Sequence, residues 1–232
     1  MIFTKKYTIG QMHCDPYSRI TIRNLALLML DTALDQEKIV EKDIDMTNFR
    51  WIIYKWDIEF LGEIKEGYDI EIETKLTHTR KFYAYREFIV TKNGEILARA
   101  RAVNMLIDIE RLRPVKISEK LKKSYGTDTI SYNPPKIKYQ EDLDPVGEIA
   151  IRLSDIDYNF HVNNAAYFDI IKEVTGIFDK DIQYIDIVYR NEIRDKKFVL
   201  GNMNKNGKEI DFSLTDPKKE KTYCLGKIRT YV

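Results

Sequence analysis

Asp157, Asn159 and His161 stand at alternate positions in the segment Asp155-Ile156-Asp157-Tyr158-Asn159-Phe160-His161-Val162-Asn163-Asn164, immediately before the apolar stretch Ala165 to Phe178. In an extended segment, residues i, i+2 and i+4 share one face. The spacing therefore predicts a carboxylate, a carboxamide and an imidazole converging where a helix begins. Histidine titrates near neutral pH, and a neighbouring amide or carboxylate fixes its tautomer, so the group suits general acid–base chemistry. The competing reading is structural, with Asp157 and Asn159 capping exposed helix amides. A further candidate, Glu192, follows a strand in the same half of the chain as His161. Its counterpart Glu63 holds the same place in the first half, which also fits a structural role at a strand end.

Metal chemistry fits less well. Asp155-x-Asp157-x-Asn159 begins like a calcium loop, but Phe160 and Ala166 stand where that loop needs Gly and Glu. A zinc site needs three or four ligands, and no second His or Cys lies at ligand spacing. His13 and Cys14 are adjacent, so on a strand they point to opposite faces, and His78 sits in the polar run Thr77-His78-Thr79-Arg80 read as a surface turn. The two cysteines, Cys14 and Cys224, read as small hydrophobes. They cannot build a disulfide framework and fit a reducing compartment.

The elements that must position these residues occur twice. Apolar residues recur at helical spacing over Ile22 to Leu34 and again over Tyr167 to Phe178. The first helix is apolar nearly all round, which predicts that it is wrapped by other structure. Each helix is followed by long strands: Trp51–Phe60, Asp69–His78, Phe82–Thr91 and Ile96–Ile109, then Ile182–Ile193, Lys197–Met203, Ile210–Leu214 and Thr222–Val232. Hairpin signals stand at Asn93-Gly94 and Asn206-Gly207. Asp57-Ile58-Glu59-Phe60-Leu61-Gly62-Glu63-Ile64 parallels Asp186-Ile187-Val188-Tyr189-Arg190-Asn191-Glu192-Ile193. One helix followed by an antiparallel meander describes a sheet curled around a central helix. The expected fold is α+β, a double hot-dog of two tandem units: 1–125, a linker at 126–147 rich in Pro and polar residues, and 148–232. A small antiparallel barrel or two unrelated α+β domains are the runner-up architectures, which periodicity alone does not exclude. The lead-in to the first helix, Asp15-Pro16-Tyr17-Ser18-Arg19, lacks the polar alternation, so one structural and one catalytic half are expected.

Composition narrows the function classes. In 232 residues, 38 Lys and Arg face 37 Asp and Glu, so nothing predicts nucleic-acid binding. The opening residues lack the apolar core of a signal peptide, and no run approaches the ~20 apolar residues of a membrane span. A cytoplasmic protein is expected.

Asp157-Tyr158-Asn159-Phe160-His161-Val162-Asn163-Asn164, with Tyr167 following, resembles the signature of plant and bacterial acyl-acyl carrier protein (acyl-ACP) thioesterases, and Tyr189-Arg190-Asn191-Glu192 resembles that family's second motif. The likeness extends to Phe49-Arg50-Trp51-Ile52-Ile53 and Asn93-Gly94-Glu95-Ile96-Leu97-Ala98-Arg99-Ala100. It implies hydrolysis of fatty acyl thioesters on the phosphopantetheine arm of acyl carrier protein, without cofactor or metal. It also implies an acyl-chain site in the first half, and Asp157, Asn159, His161 and Glu192 as the catalytic group. Where plant members carry a cysteine after the glutamate, this chain has Ile193, so water is the expected nucleophile. An acyl-CoA thioesterase, or a lipid-binding protein without turnover on the same scaffold, are the rival readings. The oligomeric state, a homodimer included, is open.

Overall fold

A computed structural model describes residues 1–126, 128–140 and 142–231. The first half contains β1 (Phe3–Thr8), α1 (Ile22–Val40), β2 (Phe49–Phe60), β3 (Asp69–Arg80), β4 (Tyr83–Lys92) and β5 (Glu95–Asp108), followed by the short β6 (Arg113–Pro114) and α2 (Glu119–Tyr125). The second half contains β7 (Asp144–Ala150), α3 (Ala166–Thr175), β8 (Ile182–Tyr189), β9 (Phe198–Asn206), β10 (Glu209–Thr215) and β11 (Thr222–Thr230). The turns form where their chemistry requires. Asn93 and Gly94 both take positive φ (50° and 85°), which matches the twist of β4 and β5, and Gly207 (60°) opens the turn from β9 to β10.

All pairings are antiparallel, in the order β1-β3-β4-β5-β2-β8-β11-β10-β9-β7, with β6 on β5. Strand and helix periodicity meet in one core. Leu25, Ala26 and Met29 of α1 and Ile170, Ile171 and Val174 of α3 pack with the inward residues Trp56, Ile58, Phe88, Val90, Ile185, Ile187 and Phe212. The expected double hot-dog is therefore the observed architecture. The halves join through β2 and β8, whose register sets Asp57 opposite Asp186. These are the residues that the sequence repeat equates, so the two units face each other about an approximate two-fold axis.

Three expectations are corrected. The first helix is not fully wrapped: Leu27 and Leu34 are exposed, because the sheet covers only one side of α1. His78 lies within β3 and stacks on Tyr85 with ring centroids 4.1 Å apart, half-buried, so it is no surface turn. The stretch read as linker is not loose. Strand β7 already begins at Asp144, and the segment before it straps the outer face of the sheet. Ser131 and Tyr132 donate their N–H groups to the buried Glu87 carboxylate, at 2.9 and 3.2 Å, and the Tyr139 hydroxyl donates to Asp186. Thr127 and Glu141 of that stretch, and Val232 of the last predicted strand, lie outside the described residues. Under the strap, Lys55 contacts Asp57 at 2.8 Å and Asp186 at 3.4 Å, and the Tyr184 hydroxyl donates to Asp57 at 2.8 Å.

Candidate functional site

The segment 155–164 is not extended. Ile156 and Val162 form an isolated bridge, and between them the chain folds into a tight turn. Asp157 N–H donates to the His161 carbonyl (2.9 Å), Phe160 N–H to the Asp157 carbonyl (3.0 Å), and Asn159 N–H to Asp157 Oδ1 (2.8 Å). The physical cause is a short acidic side chain that bonds its own backbone two residues on, a geometry that competes with strand formation. Phe160 takes a left-handed φ of 60°, and Tyr158 and Phe160 point outward, 82% and 80% exposed.

His161 is held on one side. Its Nδ1 lies 3.1 Å from the Val162 carbonyl and 3.6 Å from Asp157 Oδ2. Two acceptors on one nitrogen assign the proton of the neutral ring to Nδ1 and leave Nε2 as the available base. Asn159 is exposed, beside the turn's tip. Asp155, fully buried, accepts from Arg152 N–H (2.8 Å) and is further bound by the Arg152 guanidinium (3.0 Å), so it shapes the entry to the turn.

Glu192 lies beyond the end of β8, half-exposed. The structure brings its segment against the turn. Val162 N–H donates to the Ile193 carbonyl at 3.0 Å, and Tyr189 donates its hydroxyl to the Asn164 carbonyl at 2.8 Å while meeting Tyr167 edge-on. Arg194, not singled out by the sequence reading, spans the two motifs. Its Nε donates to Glu192 Oε2 (2.7 Å) and its terminal nitrogen to the Asn159 carbonyl (3.2 Å). Among the described residues, no hydrogen bond or ion pair joins Glu192 to His161. The repeat carried a signal for Arg194, since Lys65 stands two residues after Glu63 as Arg194 does after Glu192.

The first half repeats this backbone bond for bond. Asp15 N–H donates to the Arg19 carbonyl, Ser18 N–H to the Asp15 carbonyl, Tyr17 N–H to Asp15 Oδ1, and Ile20 N–H to the Ile64 carbonyl. Ser18, at the place of Phe160, has φ 58°. The lead-in that lacks the polar alternation thus folds the same turn, and Asp15 does there what Asp157 does in the second half. The side chains differ along the turn, with Tyr17 at the place of Asn159, and three differences in bonding follow. Arg19 replaces His161 and binds Glu63 Oε1, while Lys65 binds Oε2, so both oxygens of Glu63 are occupied. Glu192 has only Oε2 engaged among the described residues. Ile22 N–H, the counterpart of Asn164 N–H, donates to the buried carboxylate of Asp179 at 2.9 Å. Asn164 N–H makes no such bond among the described residues, whereas Ala165 and Ala166 N–H are taken by Asn163 at 2.8 Å each. A cavity of about 440 Å³ adjoins this first-half copy, lined by Arg19, Phe60, Glu63, Asp179, Ile182 and Tyr231 among others. It lies away from His161, and its polar groups already bond one another.

Neither thiol is placed for attack. Cys224 is fully buried in β11 and burial pushes its thiol pKa well up. Cys14 lies in the first half, its thiol also raised, first by burial and then by the charges of Glu66 and Asp15. Ile193 is fully buried and its contribution to the turn is its carbonyl.

Two tandem antiparallel sheets, each curled on a central helix, with a polar turn leading into the second helix, define a double hot-dog protein. Residues 1–125 match the acyl-ACP thioesterase N-terminal domain and residues 139–229 the acyl-ACP thioesterase C-terminal domain. The chain belongs to the acyl-ACP thioesterase family. A chloroplastic dodecanoyl-[acyl-carrier-protein] hydrolase of Cinnamomum camphora is 23% identical over 215 residues, covering 83% of this chain and 56% of that protein. The chain thus spans about half the length of that relative. Two solved structures share the fold. The 12:0-ACP thioesterase from Umbellularia californica has a TM-score of 0.85 at 18% identity, covering 99% of this chain and 96% of its own. An acyl-ACP thioesterase from Bacteroides thetaiotaomicron has a TM-score of 0.83 at 20% identity, covering 99% and 97%. No helix among the described residues is long and apolar enough to cross a membrane.

Proposed function

We propose that the chain hydrolyses the thioester linking a fatty acyl chain to acyl carrier protein, with catalysis in the second half and the acyl chain held by the first. Water attacks the carbonyl carbon, the C–S bond breaks, the sulfur leaves as the carrier's thiol after taking a proton, and the acyl chain departs as a free acid. Glu192, with His161, activates and orients the water. Asn159 positions the water or the carbonyl by hydrogen bonding, and Asp157 orients its neighbours by holding the turn and the Nδ1 side of His161. The Asn164 N–H stabilises the developing oxyanion, since a free amide at a helix start suits negative charge. The absence of a placed thiol supports water as nucleophile.

The observation that carries this reading is the contrast between the halves. One scaffold occurs twice, and in the first copy Arg19 and Asp179 consume the groups that the second copy leaves available. Family membership supports the substrate class, and a cytoplasmic setting accords with both. Hydrolysis by the purified protein, measured on acyl-ACPs of several chain lengths with acyl-CoAs in parallel, tests the assignment. Loss of the general base costs ~10²–10⁴-fold in rate, so Glu192→Gln and His161→Ala are expected to lose activity on that scale. A folded variant at either position with full activity overturns the assignment, and preferential turnover of acyl-CoA overturns the carrier-protein specificity.

A further inference from the structure

Resting on Glu192 as a working carboxylate, we infer that Arg194 is a positioning residue for the reaction, fixing Glu192 against the turn that carries Asn159 and His161. Three observations lead there. Glu192 lies past the end of β8, where no strand pairing holds its side chain, and the carboxylate is half-exposed. Left alone, it would sample several rotamers. Among the described residues its one partner is Arg194, at 2.7 Å through Nε, while the far end of the same guanidinium reaches the Asn159 carbonyl at 3.2 Å. A planar fork that holds two acceptors at once fixes their relative placement more rigidly than a lysine's freely rotating ammonium does.

The engagement is one-sided. Arg194 takes Oε2 and leaves Oε1, the oxygen whose counterpart in the first half is taken by Arg19 at the position of His161. Arg194 thus anchors one oxygen of Glu192 and leaves the other without a partner among the described residues. In the first half Lys65 makes the equivalent contact on Glu63. There the carboxylate is saturated and no fork reaches the turn, so Lys65 is an internal control for what the pair does structurally.

The test is steady-state kinetics on an acyl-ACP that the wild-type protein turns over, with Arg194→Ala, Arg194→Lys, Lys65→Ala and Glu192→Gln compared. Misplacement of a reacting group by about 1 Å is worth on the order of a hundredfold in rate. Arg194→Ala is expected to lower kcat by roughly ten- to a hundredfold with KM little changed. Arg194→Lys recovers part of the loss, added methylguanidinium restores kcat in the alanine variant, and Lys65→Ala leaves kcat unchanged. A purely structural role would move the thermal midpoint without rescue by guanidinium. Unchanged kcat in Arg194→Ala, or a loss that neither lysine nor methylguanidinium relieves, overturns the inference while leaving Glu192 in place. Full activity in Glu192→Gln removes the reading on which it rests, and the positioning role falls with it.

Discussion

Replacing Asp186 by Asn is expected to stabilise the protein at neutral pH, and by an amount that depends on pH in a defined way. Asp186 is fully buried at the joint between β2 and β8, opposite Asp57. It accepts from Lys227 N–H at 3.0 Å and from Tyr139, and lies 3.4 Å from the Lys55 ammonium, which is shared with Asp57. Burial outweighs the attraction of Lys55 and raises its pKa from 3.8 to about 6. A carboxyl group with a raised folded-state pKa contributes stability that is present below its unfolded pKa and lost as pH rises through the folded value. The gap from 3.8 to about 6, at ~1.36 kcal/mol per pH unit, makes ionisation in the fold about 3 kcal/mol less favourable than in the unfolded chain. Asparagine resembles the protonated acid in shape: its carboxamide oxygen still accepts from Lys227 N–H, and its NH2, in the place of the second carboxylate oxygen, donates to the Tyr139 hydroxyl oxygen. Asp186→Asn should therefore gain about 3 kcal/mol at pH 7.5, roughly 6–12 °C in thermal midpoint for a chain of this size, and almost nothing at pH 4. Circular dichroism melts of both proteins from pH 4 to 8 measure the difference. Glu37, raised to about 7 mainly by burial, adds a parallel loss of stability with rising pH in both, so the difference isolates Asp186. A variant no more stable than wild type at pH 7.5, or equally stabilised at pH 4 and 7.5, refutes the reasoning.

Other outcomes follow from single contacts. Gly226→Ala places a Cβ 2.0 Å from the Asp186 carbonyl and 2.5 Å from Phe212. Overpacking against backbone should cost at least ~1–3 kcal/mol, read as a lowered urea midpoint. Asp155→Ala strips the buried acceptor of Arg152 N–H, with an expected loss of ~1–3 kcal/mol and a fall in activity as the turn loosens, checked by melts and hydrolysis together. The double variant Cys14→Ala, Cys224→Ala should still hydrolyse the thioester, and its inactivation in a folded state would restore a thiol mechanism.

The repeat in the sequence made the architecture legible: Asp57 and Asp186 are equivalent by pattern and prove to be register partners. Hairpin turns were readable because Asn93-Gly94 accepts positive φ where most residues do not. The turn at Asp157 was misread because alternation of polar types is a strand signal only while the side chains leave the backbone free. Here Asp157 bonds the Asn159 N–H instead. Arg194 was missed because its signal lies only in the repeat, through Lys65 two residues after Glu63, while no helix or strand period marks an arginine in a charged stretch.

By itself, the sequence determined which residue types are present in two equivalent scaffolds, since helix and strand periods and turn residues are local properties. Those local patterns pointed to a repeated helix-and-meander unit, and the resemblance of its motifs to the acyl-ACP thioesterases implied the double hot-dog and the candidate group Asp157, Asn159, His161 and Glu192. Only the tertiary structure decided which of these groups are engaged. Whether Glu63 and Glu192 keep a free oxygen, and whether Ile22 and Asn164 keep a free N–H, depends on Arg19, Asp179 and Arg194. Ile22 and Asp179 are 157 positions apart in the chain, and no local pattern can encode a contact made only when the two halves close on each other.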